Sequence, residues 1–590
     1  MGDIVGRLFR EFAVTLSVTI LVSAAVSLTL TPMMCSRLLK AKADQKKKGR
    51  FYNASEGVWN RLIGFYARTL GWVLKHQGAT LVVAILTLGA TILLYLIVPK
   101  GFFPVQDTGV IQGISEASEN ISFTAMAARQ QALADVILQD PAVESLTSFI
   151  GVDGINTTLN SGRILINLKP LAERKISASD VLRRLQPALA QVEGITLFMQ
   201  PVQDLTVEDR VSQTQYQYTL EDANADELNE WTGKLVARMQ TLPELRDVAT
   251  DQQTHGMQAR LVIDRVTASR LGITPQAIDN ALYDAFGQRQ ISTLFTQLNQ
   301  YHVVLETEPE FQRNPSKLDE IYVLSTSGGA VPLGAFTHFE SGTAPLAINH
   351  QGQFPSVTIS FNLAPGAALG EATTAIEKVQ QELGMPLSVL ASFQGTAQAF
   401  IASLANEPWL ILAAIVTVYI ILGVLYESYI HPITFLSTLP SAGAGAILAL
   451  LVTGTELGVV ALIGIILLIG IVQKNAIMMI DFALDSERRE HKPPAEAIYQ
   501  ACLLRFRPIL MTTFAALFGG LPLALGRGVG SELRQPLGIA IVGGLIVSQV
   551  LTLYTTPVIY LFFGRLAARV SRAPAPAPVS GAAVAAAPTS

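Results

Sequence analysis

The sequence predicts an α-helical polytopic membrane protein of about seven spans with a large extracytoplasmic α+β region. That region reads as two ferredoxin-like βαββαβ lobes, the second split by an inserted subdomain. Three observations carry this. Half of the 590 residues are apolar and only 15% are charged, against about 25% charged in a typical soluble chain. Seven stretches are apolar over a length near that needed to cross a bilayer, about 20 residues. Between the second and third lies a polar block, residues 99–407, with no such stretch, so the whole block lies on one side.

The apolar stretches are residues 12–35, 79–98, 408–426, 433–452, 457–483, 508–525 and 536–563. Lys and Arg gather after the first (Arg37, Lys40, Lys42, Lys46, Lys47, Lys48, Arg50), between the fifth and sixth (Arg488, Arg489, Lys492, Arg505, Arg507) and after the last (Arg565, Arg569, Arg572). All three groups fall on one face, which the positive-inside bias makes cytoplasmic and which puts the polar block outside. The block contains no cysteine, and Cys35 and Cys502 alone give no disulfide framework.

These boundaries divide the chain into a first span (1–36), a cytoplasmic loop (37–77), a second span (78–98), a first lobe (99–205), a second lobe in two pieces (206–255 and 344–396) around an insertion (256–343), a five-span bundle (397–566) and an Ala/Pro-rich tail (567–590) expected to be disordered. Within the loop, residues 60–76 (NRLIGFYARTLGWVLKH) place apolar residues at helical spacing among Arg61, Arg68 and Lys75, the pattern of an amphipathic helix on the membrane surface. Seven spans with the C-terminus inside leave the N-terminus outside. Yet residues 12–35 are too long for the core of a signal peptide and lack its small-residue cleavage site. The expectation is the later part of a longer protein.

In the first lobe, residues 110–116, 143–150, 163–168 and 196–200 read as strands and 123–138 and 178–191 as helices, in the order βαββαβ. The second repeats the order with strands at 215–220, 245–250, 356–361 and 387–393 and helices at 225–239 and 369–383. The insertion carries strands of its own at 260–263 and 301–306. Two such lobes side by side leave a cleft.

Several function classes are excluded. There is no GxxxxGK[ST] phosphate cradle, no HExxH and no GxSxG, so neither ATP hydrolysis, a zinc hydrolase nor a serine hydrolase is signalled, and the chain does not read as an enzyme. No metal or cofactor is expected. A net charge of −4 gives no footprint for nucleic acid.

The informative residue is Lys474, inside the apolar run Ile471-Val472-Gln473-Lys474-Asn475-Ala476-Ile477. A charge at mid-bilayer costs about 2.5–3.5 kcal/mol on insertion scales, so such a residue faces a polar interior or pairs with an acid. Arg505 and Thr512 lie seven residues apart; on one helix they share a face two turns apart. Together with Lys474 they could surround a carboxylate whose pKa a cation and desolvation would set. No carboxylate sits deep in the seven runs: Glu11 and Asp481 lie at run ends.

Residues 471–483 (IVQKNAIMMIDFA), 504–513 (LRFRPILMTT) and 99–107 (PKGFFPVQD), with the split lobes, resemble the resistance–nodulation–division (RND) transporters over all but the tail. Residues 136–149, 297–306, 423–440 and 501–517 carry a closer likeness to multidrug permeases within it. The resemblance implies a proton/drug antiporter of the bacterial inner (plasma) membrane. It would have a periplasmic porter region with a docking subdomain at the insertion, and would be driven by the proton-motive force without a cofactor. Implied partners are amphiphilic drug or detergent-like substrates, a homo- or hetero-trimer with a paired RND permease, a periplasmic adaptor protein and an outer-membrane channel. Lys474, Arg505 and Thr512 match the family's proton-relay lysine, arginine and threonine, and Asn475 follows in the same motif; Gln473 stands where relatives tend to carry a second lysine. The family has about twelve spans, and this chain matches the last seven, without the span that bears the family's aspartate pair.

The family's substrate pocket lies between the lobes. Its phenylalanine-rich loop falls at residues 151–161 (GVDGINTTLNS), which hold no aromatic. Phe149 fits one pocket position and Leu165 replaces an aromatic at another, although Phe149 at a strand end equally fits a core. The scattered methionines 126, 199, 239, 257 and 385 read as core, against a copper-exporting branch. The competing reading is a non-transporting fragment or assembly subunit without its own proton path. An auxiliary protein-export subunit fits less well, because its external loop would lack the insertion.

Overall fold

The structure, a computed structural model, describes residues 3–39, 50–151, 158–207, 211–312 and 314–570. The lysine cluster at 46–48, the middle of the 151–161 loop and the tail beyond residue 570 lie outside the described residues.

Helix α1 (Asp3–Leu38) starts ahead of its apolar run. Helix α2 (Arg50–Lys75) meets α3 (Gln77–Ile97) at a corner on His76. The amphipathic stretch thus begins earlier than its apolar periodicity shows, and one of its faces does not lie on a membrane. Tyr66 and Leu70, one turn apart, are buried in the helical bundle, while Phe65 and Trp72 are exposed.

The first lobe follows: β1 (Val110–Ala117), α4 (Phe123–Leu138), β2 (Val143–Ile150), β3 (Ser161–Leu168), the single-turn α5 (Leu171–Arg174), α6 (Ala178–Leu189) and β4 (Ile195–Pro201). The sheet runs β2-β3-β1-β4, antiparallel throughout. Alternation decides its faces. Ile111, Ile164 and Ile166 point to the helices and pack on Met126, Leu133 and Ile137. The Ser122 hydroxyl caps α4 and a Ser177/Asp180 capping box starts α6. Asp107 closes the PKGFFPVQD segment onto this lobe: its carboxylate accepts from the Ala178 N–H at 3.0 Å and pairs with the buried Arg174.

The second lobe consists of β5 (Tyr216–Glu221), α7 (Ala225–Met239) and β6 (Leu245–Thr250), then resumes after the insertion with β13 (His350–Gln351), β14 (Phe354–Leu363), α11 (Leu369–Leu383) and β15 (Leu390–Gln394). Strand β14 pairs with β6, β13 and β5, and β5 pairs with β15. The spatial order β6-β14-β5-β15 repeats that of the first lobe. The last strand starts later than its apolar run because residues 386–389 close a turn, Val389 N–H to Pro386 O.

Between the pieces lie β7 (Gly256–Ile263), α8 (Arg265–Arg270), α9 (Pro275–Phe286), β8 (Arg289–Phe295), β9 (Gln300–Leu305), α10 (Pro309–Gln312), β10 (Tyr322–Leu324), β11 (Ala330–Pro332) and β12 (Thr337–Ala344). A small core of Ile273, Ile278, Val323, Leu333 and Phe336 packs β7, α8, α9, β10 and β11 together, and the β8–β9 hairpin contributes no residue to it. Met257 here is 77% exposed, not core as its apolar character suggests.

The bundle comprises α12 (Gly395–Tyr426), α13 (His431–Leu436), α14 (Leu439–Thr453), α15 (Val459–Glu490), α16 (Pro494–Leu525) and α17 (Ser531–Val570). One expected span is thus two helices, because Pro440 at the start of α14 cannot donate an N–H. Among the described residues, seven helical segments are long and apolar enough to cross a membrane. Small residues let α14 and α17 touch: a Cβ on Gly543 would lie 2.2 Å from that of Ala449. The lobes join the bundle where Leu457 and Val459 donate N–H groups to Pro99 and Phe102, at 2.9 and 3.2 Å.

Candidate functional site

Helices α15, α16 and α17 carry most of the polar side chains inside the bundle. Because α16 begins at Pro494, well ahead of its apolar run, Arg505 and Thr512 do sit on one helix, two turns apart. Arg505 is half-buried; its guanidinium lies 4.9 Å from the centroid of the Phe482 ring on α15, and its Nε has no hydrogen-bond partner. A cation over an aromatic face in a poorly hydrated place is held without being neutralised. The Thr512 hydroxyl donates to its own helix, to Ile509 O at 3.0 Å.

Lys474 lies on the outward face of α15 and is exposed. Among the described residues it pairs with no carboxylate. The acid nearest to it along that face is Asp481, also exposed and two turns away. Asn475 turns the other way. It is buried, and its side-chain amide donates to Thr513 Oγ1 and to Gln549 Oε1 on α17, both at 3.3 Å. The Thr513 hydroxyl in turn donates to Gln549 Oε1 at 2.5 Å. The four sequence-derived residues therefore divide. Lys474 faces outward, Arg505 and Thr512 line α16, and Asn475 belongs to an interior polar cluster that ties three helices.

Thr513 and Gln549 were not singled out by the sequence. Gln549 interrupts the apolar run 536–563 and could have been flagged, since an amide in hydrocarbon needs partners. Gln473, next to Lys474, is buried with Nε2 unpartnered.

The second candidate lies on the first lobe. Phe149 pairs with Arg163 and Leu165 with Thr147 across β2 and β3, so Phe149 and Leu165 share the sheet face that turns away from the helices. Phe149 is 52% exposed and Leu165 half-buried, so Phe149 is not a core residue. Ile114 and Phe198 occupy the same face further along, where the second lobe approaches: Gln213 Nε2 donates to Glu116 at 3.5 Å, and Asn362 Nδ2 to Met199 O at 3.4 Å. Of the aromatic-free loop, residues 152–157 lie outside the described residues. Its described end is anchored by Thr158 and Ser161, whose hydroxyls are 2.9 Å apart.

In comparison with known protein families, the model described as the AcrB/AcrD/AcrF family matches residues 1–564.

Proposed function

The chain belongs to the AcrB/AcrD/AcrF family of RND-type efflux permeases, and from that premise we propose that it serves proton-driven export of amphiphilic compounds. The protein is a multi-pass membrane transporter rather than an enzyme. The setting is the bacterial inner membrane, with the two lobes as periplasmic porter lobes of ferredoxin-like topology and residues 256–343 as the docking subdomain. The partners are a trimer of this or a paired permease, a periplasmic adaptor and an outer-membrane channel. Within the family the likeness is to the multidrug permease MdtB, then MdtC.

The observation that carries the coupling is Lys474, a cation on an apolar helix with Arg505 and Thr512 on the neighbouring one. The role assigned to Lys474 is to neutralise a carboxylate that gains and loses the proton. That acid comes from a segment other than those described, docked on the outward face of α15. Phe149 and Leu165 line the cleft where substrate sits. The absence of a carboxylate on Lys474 among the described residues favours a second reading, in which these residues alone have no proton path. Drug-induced proton flux in proteoliposomes separates the two. Flux that requires an added acid-bearing segment supports coupling through Lys474; no flux with or without it supports the second reading.

A further inference from the structure

Glu407 lies on α12 near the extracytoplasmic end of α3, and it is only 6% exposed. Its Oε1 is buried without a hydrogen-bond partner. An unpaired buried carboxylate oxygen is costly unless a donor reaches it. Glu407 and Tyr95 line the head of a groove between α3, α12, α14 and α15, about 580 Å³ in volume and otherwise walled by side chains such as Leu88, Ile415 and Ile447. That is within the range of sites that enclose a small ligand, roughly 300–1,000 Å³. From Tyr95 to Leu88 the groove follows α3 for about 10 Å, at 1.5 Å per residue.

The same end carries a cation. Lys100 sits with Nζ 4.7 Å from the centroid of the Tyr95 ring, which lines the groove beside Glu407. A carboxylate with a free oxygen and a nearby ammonium, above an apolar trench open to the membrane, complement a zwitterion with a single tail below it. A purely cationic amphiphile would meet Lys100 as a like charge. We propose that this groove holds one acyl chain of a phospholipid whose head group bears a protonated amine, with the ammonium donating to Glu407 and the phosphate facing Lys100. A quaternary head group has no N–H to offer and fits less well. The site goes beyond the export reading and does not depend on it.

Native mass spectrometry of the purified full chain, titrated with phosphatidylethanolamine or phosphatidylcholine of identical acyl chains, tests this. Retention of phosphatidylethanolamine should exceed that of phosphatidylcholine by roughly tenfold, the worth of a hydrogen bond to a charged group. Glu407→Gln should bring the two to parity. Lys100→Ala removes the cation that faces the phosphate of either lipid and should weaken both, as should Ile415→Trp, which fills the trench. Equal retention by the unmodified chain, or a preference that survives Glu407→Gln, would overturn the proposal. Dodecylamine competing as well as phosphatidylethanolamine, with no effect of Lys100→Ala, would overturn it in favour of a simple cationic amphiphile.

Discussion

The ring of Tyr66 on α2 stacks on that of Phe506 on α16, with centroids 4.5 Å apart, and its hydroxyl donates to Leu553 O on α17 at 2.8 Å. Phe506 is the residue after Arg505, so this contact fixes the helix that carries the candidate relay. Tyr66→Phe should lower the thermal midpoint in detergent by the equivalent of about 1 kcal/mol, one net hydrogen bond. Tyr66→Ala should cost about 3–5 kcal/mol, as other buried aromatic truncations do. An alanine variant as stable as the original would show that α2 is only loosely docked.

The orientation inferred from Lys and Arg can be read with an impermeant thiol reagent in cells with a permeabilised outer membrane. Ser341, on β12, and Ser55, on α2, are both exposed. In a Cys35→Ser background, with Cys502 buried, Ser341→Cys should label from outside and Ser55→Cys should not. The reverse pattern would invert the topology.

Glu456 sits between α14 and α15, and burial, then the nearby Glu371 carboxylate, raises its pKa above the ordinary value of 4.5. The folded state therefore holds this proton more tightly than the unfolded chain does. Its charge weighs against the fold at neutral pH, and the penalty fades as pH falls toward 4.5. Glu456→Gln should raise the thermal midpoint at pH ~7, with the two proteins converging in acid. Asp180 has the opposite sign: hydrogen bonding to Ser177 lowers its pKa, so what it contributes is lost only as pH falls below the usual 3.8. A Glu456→Gln gain that persisted unchanged at pH ~4 would mean packing, not charge, is responsible.

The elements legible in the sequence were those with a strong period. Helices at 123–138, 225–239 and 369–383 have the same bounds in sequence and structure because each presents an apolar face to a core; strands 143–150 and 245–250 agree as well, although neither alternates cleanly between buried and exposed residues. The β8–β9 hairpin went half unread, since Phe295, Leu298 and Tyr301 all lie exposed and leave no alternation between buried and solvent sides. The same limit applies to the site. Lys474 stands out as a charge in an apolar run. That Asn475 turns inward to Gln549 depends on how α15 and α17 meet, a contact between residues 74 apart in sequence.

Phe149 and Leu165 stand on the outer face of the first lobe's sheet, so enlarging them should not disturb its core. Leu165→Trp should change stability by no more than about 0.5 kcal/mol while shifting the relative export of compounds of different size. Ile164→Ala, on the opposite face, should cost about 2–5 kcal/mol and reduce every compound alike. Uniform loss with Leu165→Trp, in a protein that still folds, would remove these positions from the substrate path.

Lys474 and Asn475 provide the sharpest separation between coupling and architecture. Lys474 faces outward and pairs with nothing among the described residues, so Lys474→Ala should leave the thermal midpoint nearly unchanged. If it neutralises a carboxylate during transport, its removal from a poorly hydrated place raises that acid's pKa, because the stabilising cation is gone. The acid then stays protonated, and drug-dependent proton flux in proteoliposomes containing the acid-bearing segment should fall to background while substrate still binds. Asn475→Ala should behave in the opposite way. It leaves the Thr513–Gln549 pair with a lost donor inside the bundle, which costs about 1–3 kcal/mol, and any change in flux should follow the loss of folded protein. Normal flux in Lys474→Ala, or an Asn475→Ala protein that is fully stable yet without flux, would place the proton path on the interior cluster instead of the outward face of α15.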